Sequence, residues 1–307
     1  MLTIVIPAFE KVERLRPALR SVIAVARREA PDAEIIVAND GGTPAVAAAV
    51  GQIAASCAEV NEVCVLPRGG RSAARNAGAR HSRGDRVLFL DEDVLAGRGL
   101  LTAHLRRGAA FPDALVRGTI LHMPWLAAFD DPVCGTLTAA ARRSLRFVAG
   151  SGTAPTRLEG RRLELDGEGL PDARAGALAR MRPFERDLHA WLEARPVDAP
   201  GRWVASTGGN LSVGRECFLR LGGFDERMGL RWGAEDLEFG YRAEKAGCPV
   251  VHAPDAVVYH LDHQSPDRRD EHQDALEYFA AKHRDPSVLR LQAYFFGSAS
   301  LAEALQV

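Results

Sequence analysis

Four short runs in the first third of the chain, LTIVIP, EIIVAND, EVCVLP and RVLFLDED, are nearly continuous in Val, Ile and Leu. A strand with one wet face alternates apolar and polar positions, and these runs do not, so they predict strands buried on both faces. Between them the apolar spacing is helical. In EKVERLRPALRSVIAVARREA, Val12, Leu15, Leu19, Val22, Ile23 and Ala26 share one face, and Pro17 places the regular helix from about Arg14 or kinks it. SAARNAGARHSRG predicts a short helix of small residues that ends at Gly84. Strands alternating with helices predict an α/β fold built on a doubly wound, mostly parallel sheet flanked by helices.

From residue 119 to 200 the pattern loosens. LHMPWLAAFDDPVCG is irregular, TLTAAARRSLRFVAG has helical spacing, and SGTAPTRLEGRRLELDGEGLPDARAG carries enough Gly, Pro and charge for a mobile loop. ALARMRPFERDLHAWLEARP then returns to helical spacing, so the segment is either an insertion forming an acceptor region or a helical cover for the sheet. Beyond it, AEDLEFGYRAEKAG predicts a helix with acids in its first turn and Lys245, Gly247 and Pro249 at its end. PVVHAPDAVVYH predicts a strand, and the tail from 266 to 307 is helical.

Composition narrows the class without naming it. The 307 residues are 47% hydrophobic and 26% charged, as in a soluble globular protein. A net charge of −1 gives no long-range field to draw in nucleic acid. No run approaches the roughly 18 apolar residues of a membrane helix, and MLTIVIPAFE lacks the features of a signal peptide, so the expected location is cytoplasmic. The five cysteines are scattered and never form C-x-x-C, which argues against a zinc site or a disulfide framework.

The chemistry concentrates in VLFLDEDV. Three consecutive carboxylates, Asp91, Glu92 and Asp93, repel one another and require either open solvent or a cation. Hard oxygen ligands suit Mg²⁺ or Mn²⁺, and such ions bind phosphates. In open α/β sheets ligands bind beyond the carboxyl ends of strands, and Asp40 after EIIVAN falls on the same rim.

In order along the chain, IVIPAFE, IIVANDGG, SAARNAG and VLFLDEDV resemble the family 2 glycosyltransferases of the GT-A fold. GGNLSVGRECFLRLGGFDERMGLRWGAEDLEFGYRAEKAG is similar to the module shared by β1,4-galactosyltransferases, chondroitin-type polymerases and polypeptide N-acetylgalactosaminyltransferases. The resemblance covers about two thirds of the chain. It implies four parts: a nucleotide-sugar half at 1–118, the insertion at 119–200, a catalytic and acceptor half at 201–265, and the tail. Pro7, Ala8, Phe9 and Glu10 would line the nucleoside, Asp40 would accept from uracil, and Arg71, or else Arg75, would assist. Asp91 would approach the ribose, while Asp93 and His260, with His263 as fallback, would hold Mn²⁺ or Mg²⁺. Gly208 and Gly209 would border the donor, and Trp232 would cover it. Asp236 would be the general base, with Glu235 orienting acceptor hydroxyls.

The implied activity is metal-dependent transfer of a hexose-type sugar from a UDP-sugar to an acceptor hydroxyl, with inversion. Retention on the same fold is the nearest alternative. Saccharide, peptide and small natural product all fit as acceptors. VLFLDEDVL also resembles the haloacid-dehalogenase signature, but here it follows a later strand, and Leu95 stands where a Thr or Val is usual. A non-catalytic nucleotide-sugar-binding module is the other alternative, against which the paired Asp93 and Asp236 speak.

Overall fold

The computed structural model describes residues 1–123, 129–131, 136–137, 179–228, 230, 233–262 and 268–306. Its strands are β1 (Leu2–Ala8), β2 (Glu34–Asp40), β3 (Val60–Val65), β4 (Arg86–Leu90), β5 (Val94–Ala96), β6 (Leu115–Met123), the small pair β7 (Phe129–Asp131) and β8 (Thr136–Leu137), β9 (Asn210–Gly214) and β10 (Val250–Leu261). Eight of them form one sheet in the order β3-β2-β1-β4-β9-β6-β10-β5, and β7 pairs with β8 apart from it. Within the large sheet β1, β2, β3 and β4 run parallel, as do β6 and β10. The pairings β4–β9, β6–β9 and β5–β10 are antiparallel. The sheet is therefore mixed and mostly parallel, with helices on both faces.

Every residue of β1, β2 and β4 is buried, as their unbroken apolar runs require. Successive residues feed opposite faces: Ile4, Ile6, Leu88 and Leu90 join one core, and Val5, Val87 and Phe89 join the other. β3 departs from the expectation of two-sided burial. It is the sheet edge and pairs only with β2, so Asn61 and Cys64 are exposed. Its apolar run is too short for periodicity to separate an edge strand from an interior one.

Helix α1 (Val12–Glu29) carries Pro17 within its regular span, and Ala18, Leu19 and Val22 lie buried beyond it. α2 (Pro44–Ala54) and α3 (Gly70–His81) follow β2 and β3. α3 lies directly on β1, because a β-carbon at Gly78 would overlap Val5. α4 (Leu100–Ala110) packs on β6 and β10, α5 (Pro183–Glu193) packs on β10, and α6 (Arg215–Arg220) on β9. α7 (Glu235–Lys245) and α8 (Arg269–His283) close the Phe-rich core formed by Phe89, Phe218, Phe224, Phe239 and Phe279. β6 continues through position 119, where the sequence reading begins the insertion. Trp232, His263 and most of 119–178 lie outside the described residues.

Candidate functional site

The three consecutive acids face different sets of partners, with Lys11 shared by Glu92 and Asp93. β4 ends at Leu90, and β9 pairs antiparallel with it, Leu90 opposite Asn210, which brings Gly209 against Asp91. A β-carbon at Gly209 would stand 2.9 Å from Asp91 Oδ2, so glycine is what allows the backbone to approach the carboxylate. Asp91 accepts from Arg75 Nη2 at 2.8 Å. Glu92 turns back to β1, accepts from the Phe9 backbone N–H at 3.1 Å and lies 3.7 Å from Lys11 Nζ. Burial pushes the Glu92 carboxyl up to about 7, with Lys11 and the Phe9 N–H opposing. Asp93 is 5% exposed, with Lys11 Nζ at 3.5 Å, Arg14 Nη1 at 3.7 Å and His260 Nε2 at 3.6 Å. Lys11 and Arg14 were not singled out in the sequence, although their position just past the carboxyl end of β1 is the signal that finds them.

Arg75 ties this rim to the second acidic pair. Its guanidinium is buried and donates to Asp91 at 2.8 Å and to Glu235 at 3.0 Å. A β-carbon at Gly208 would meet that guanidinium at 3.0 Å. Burial alone would raise the Glu235 carboxyl, but Arg71 and Arg75 hold it below the ordinary value. Asp236 shows the opposite outcome one residue on. Burial, and then the negative charge of Glu235, push it up to about 6 against the pull of Arg75. Its Oδ2 accepts from Gly208 N–H and its Oδ1 from Leu237 N–H, both at 2.8 Å. The helix N-terminus predicts a strongly acidic, weakly basic Asp236, and desolvation next to Glu235 reverses that. Two adjacent carboxylates pushed apart in pKa leave one held charged and one ready to take a proton near neutrality.

Asp40 is 4% exposed and accepts from the Gly69 N–H at 2.8 Å and the Gly70 N–H at 3.0 Å, with Arg68 Nε at 3.7 Å. It therefore fixes the entry to α3, the helix that carries Arg71 and Arg75. Pro7 and Ala8 are buried at the end of β1, Phe9 is half-buried and Glu10 exposed. The Arg68 guanidinium lies 3.8 Å from the centre of the Phe9 ring, a cation–π contact that the sequence did not reveal. Arg71 is about one third exposed and reaches Glu235 Oε1 at 3.7 Å.

On the far side of Asp93, β5 runs antiparallel to β10 with Val94 opposite His260, and Leu261 N–H donates to the Asp93 carbonyl at 2.8 Å. Aligned with His260 on β6 is His122, its ring centre 4.9 Å away. Asp262 Oδ1 receives His122 Nδ1 at 2.7 Å and Arg182 Nη2 at 2.8 Å, and stands 3.4 Å from His260 Nδ1. Among the described residues, His122, His260 and Asp262 cluster closely enough to suggest an ion, and Asp93 joins them through His260. The donor set for a divalent cation is present. Two ligands at about 2.1 Å from one octahedral ion stand roughly 3 Å apart, so the 3.6 Å between Asp93 Oδ1 and His260 Nε2 needs only a small closure.

Residues 3–122 match the model of glycosyl transferase family 2, and residues 188–264 match that of the N-terminal domain of galactosyltransferase. The uncharacterized glycosyltransferase YfnE of Bacillus subtilis is 24% identical over 86% of this chain and 65% of its own length. The chondroitin synthase of Escherichia coli is 37% identical over 22% of this chain and 10% of its own length. The chain thus spans less than two thirds of these relatives. Among solved structures, the mannosyltransferase PcManGT from Pyrobaculum calidifontis, in complex with GDP-Man and Mn²⁺, superposes with TM-score 0.57 at 18% identity, over 99% of this chain and 72% of the other. GalNAc-T7 with UDP, GalNAc and Mn²⁺ gives 0.55 at 16%, over 100% and 56%. The fold is that of GT-A glycosyltransferases, and a segment similar to glycosyl transferase family 2 is followed by a galactosyltransferase-type segment around one rim of acids.

Proposed function

We propose that this protein moves a hexose-type sugar from a UDP-sugar to an acceptor hydroxyl with inversion, and that Asp236 is the general base. The observation that carries the reading is Asp236 itself: a half-buried carboxylate with its pKa raised to about 6, held by Gly208 next to the rim formed by Asp91 and Asp93. A base with a pKa near working pH is ionised yet basic enough to take the hydroxyl proton as the oxygen attacks C1.

The other residues divide the remaining tasks. Asp93 and His260 would hold Mn²⁺ or Mg²⁺, which when bound neutralises the diphosphate leaving group as a Lewis acid. Lys11 and Arg14, already at Asp93, add positive charge for the same phosphates. Asp91 accepts from the ribose, with its orientation set by Arg75. Glu235 works through Arg75 and through the charge it places next to Asp236, since its Oε1 is already taken by Arg75. Asp40 orders the loop at the base of the nucleoside and offers its remaining lone pairs to uracil, while Phe9 and Arg68 frame the ring. Residues 1–118 then form the donor half and 201–265 the catalytic half, with acceptor contacts drawn from 119–200.

The test is UDP release from UDP-glucose, UDP-galactose and their N-acetylhexosamine counterparts with Mn²⁺, across saccharide, peptide and natural-product acceptors. Acceptor-dependent UDP release is the expected result. Release of inorganic phosphate instead, or tight donor binding with no turnover on any acceptor, would overturn the proposal.

A further inference from the structure

Asp262 has no role in the transfer as proposed so far, yet it is heavily engaged beside the site. Two donors, His122 Nδ1 and Arg182 Nη2, bond its Oδ1, and His260 Nδ1 stands 3.4 Å from the same oxygen. A second cation bound by His122, His260 and Asp262 would have to displace the Arg182 guanidinium, which sits 2.8 Å from the oxygen that would be its ligand. Arg182 therefore argues against a separate ion site, and a supporting role is what remains.

His260 lies between two carboxylates, Asp93 at 3.6 Å from Nε2 and Asp262 at 3.4 Å from Nδ1. The backbone fixes that placement on both sides. Leu261 N–H is bonded to the Asp93 carbonyl at 2.8 Å, and Asp262 N–H to the Met123 carbonyl at 2.9 Å. The His122 ring lies alongside that of His260 and is itself tied to Asp262 at 2.7 Å, which limits rotation of the His260 ring. A histidine that binds a cation through one nitrogen needs its proton on the other, and an acceptor there sets both the tautomer and the ring plane.

We infer that Asp262 is a positioning residue that keeps the proton of His260 on Nδ1 and presents the Nε2 lone pair to the cation shared with Asp93. This rests on the reading of Asp93 and His260 as metal ligands. His122 and Arg182 hold Asp262 in turn. The backbone pairing of His122 with Arg180, at 2.7 and 2.8 Å, places the approach to α5 against the same cluster. The segment entering α5 is thereby coupled to the metal ligand, so a change at Arg182 should be felt at the cation.

The experiment uses the full chain. Mn²⁺ affinity is measured from the electron paramagnetic resonance signal of free Mn²⁺, and the His260 tautomer from long-range ¹H–¹⁵N correlations in metal-free protein at a pH where the ring is neutral. Wild type should show the Nδ1–H form. Asp262→Asn should weaken Mn²⁺ binding about 10- to 100-fold and move the ring toward Nε2–H, whereas a merely structural Asp262 would lower the melting temperature and leave both readouts alone. A folded Asp262→Asn protein with wild-type Mn²⁺ affinity, or an Nε2–H ring in wild type, would overturn the inference. Wild type that fails to bind Mn²⁺ would instead overturn the metal reading, and the tautomer still decides the role of Asp262. Should the variant not fold, the wild-type spectrum carries the test alone.

Discussion

Replacing Asp236 by Asn keeps the side-chain shape and removes the proton acceptor. The carboxylate now receives two backbone N–H groups, from Gly208 and Leu237, each at 2.8 Å. Asn has one oxygen for them, so one N–H loses its partner, at a cost of about 1–3 kcal/mol in stability. At about 2–4 °C per kcal/mol for a domain of this size, the melting temperature should fall by roughly 2–12 °C and leave a folded protein. Removing a charge next to Glu235 offsets part of that loss, because Glu235 raises Asp236 in the native protein. The chemical step should suffer far more: without the base the expected loss is about 10²- to 10⁴-fold in kcat, or roughly 3–5 kcal/mol at the transition state. UDP-sugar affinity should change by less than about threefold, because the donor rim is held by Arg75 and Asp91, which the substitution leaves in place. Single-turnover rate, donor affinity by calorimetry and melting temperature on one preparation separate these effects. A folded Asn variant that transfers sugar at close to the wild-type rate would refute the reasoning, and so would a loss confined to donor affinity.

The remaining predictions test other parts of the site. In wild type, kcat/KM should fall about tenfold per pH unit below about 6, because protonation of Asp236 removes the base and its pKa is raised to about 6 by burial and Glu235; a flat profile from pH 5 to 7 would contradict this. Turnover should require a divalent cation, with Mn²⁺ at least as good as Mg²⁺ because a histidine ligand suits the softer ion, and full activity in excess EDTA or in Asp93→Ala would count against it. UDP should bind more tightly than ADP or CDP if Asp40 accepts from the uracil imide, and equal calorimetric affinities would remove Asp40 from base recognition. Arg75→Met should cost roughly 3–5 kcal/mol by chemical denaturation, because it strands Asp91 and Glu235 near each other without their shared cation; a loss under about 1 kcal/mol would show that the bridge contributes little.

What the sequence revealed depended on whether a residue's partner is local. The runs LTIVIP, EIIVAND and RVLFLDED appear as β1, β2 and β4, buried on both faces, because continuous apolar composition reports burial directly. The helix from Glu235 to Lys245 was legible from acids at its start and glycine beyond its end. Nothing local announced β5, three residues long and joined to β10, or the antiparallel placement of β9 between β4 and β6. The site followed the same division. The strand-end acids were found by position, and the resemblance already set His260 beside Asp93, but the contacts of Arg75 with Asp91 and of Lys11 with Glu92 and Asp93 were not foreseen, because those cations come from other elements. His122 and Asp262 stayed hidden because parallel pairing of β6 with β10 is what brings His122 alongside His260. The raised pKa of Asp236 was likewise unreadable, since it depends on burial and on the orientation of Glu235, while sequence alone offers only the helix N-terminus.

The central claim is that Asp236 deprotonates an acceptor hydroxyl which then displaces UDP from the far side of the sugar. Its most direct test is the anomeric configuration of the first-formed product, read by ¹H NMR during transfer from an α-linked UDP-hexose in the presence of Mn²⁺. A β-linked product, appearing in step with UDP and absent when Asp236→Asn replaces wild type, is the predicted result. An α-linked product from the wild-type protein would contradict it, because retention does not proceed through a single displacement by a hydroxyl activated at Asp236.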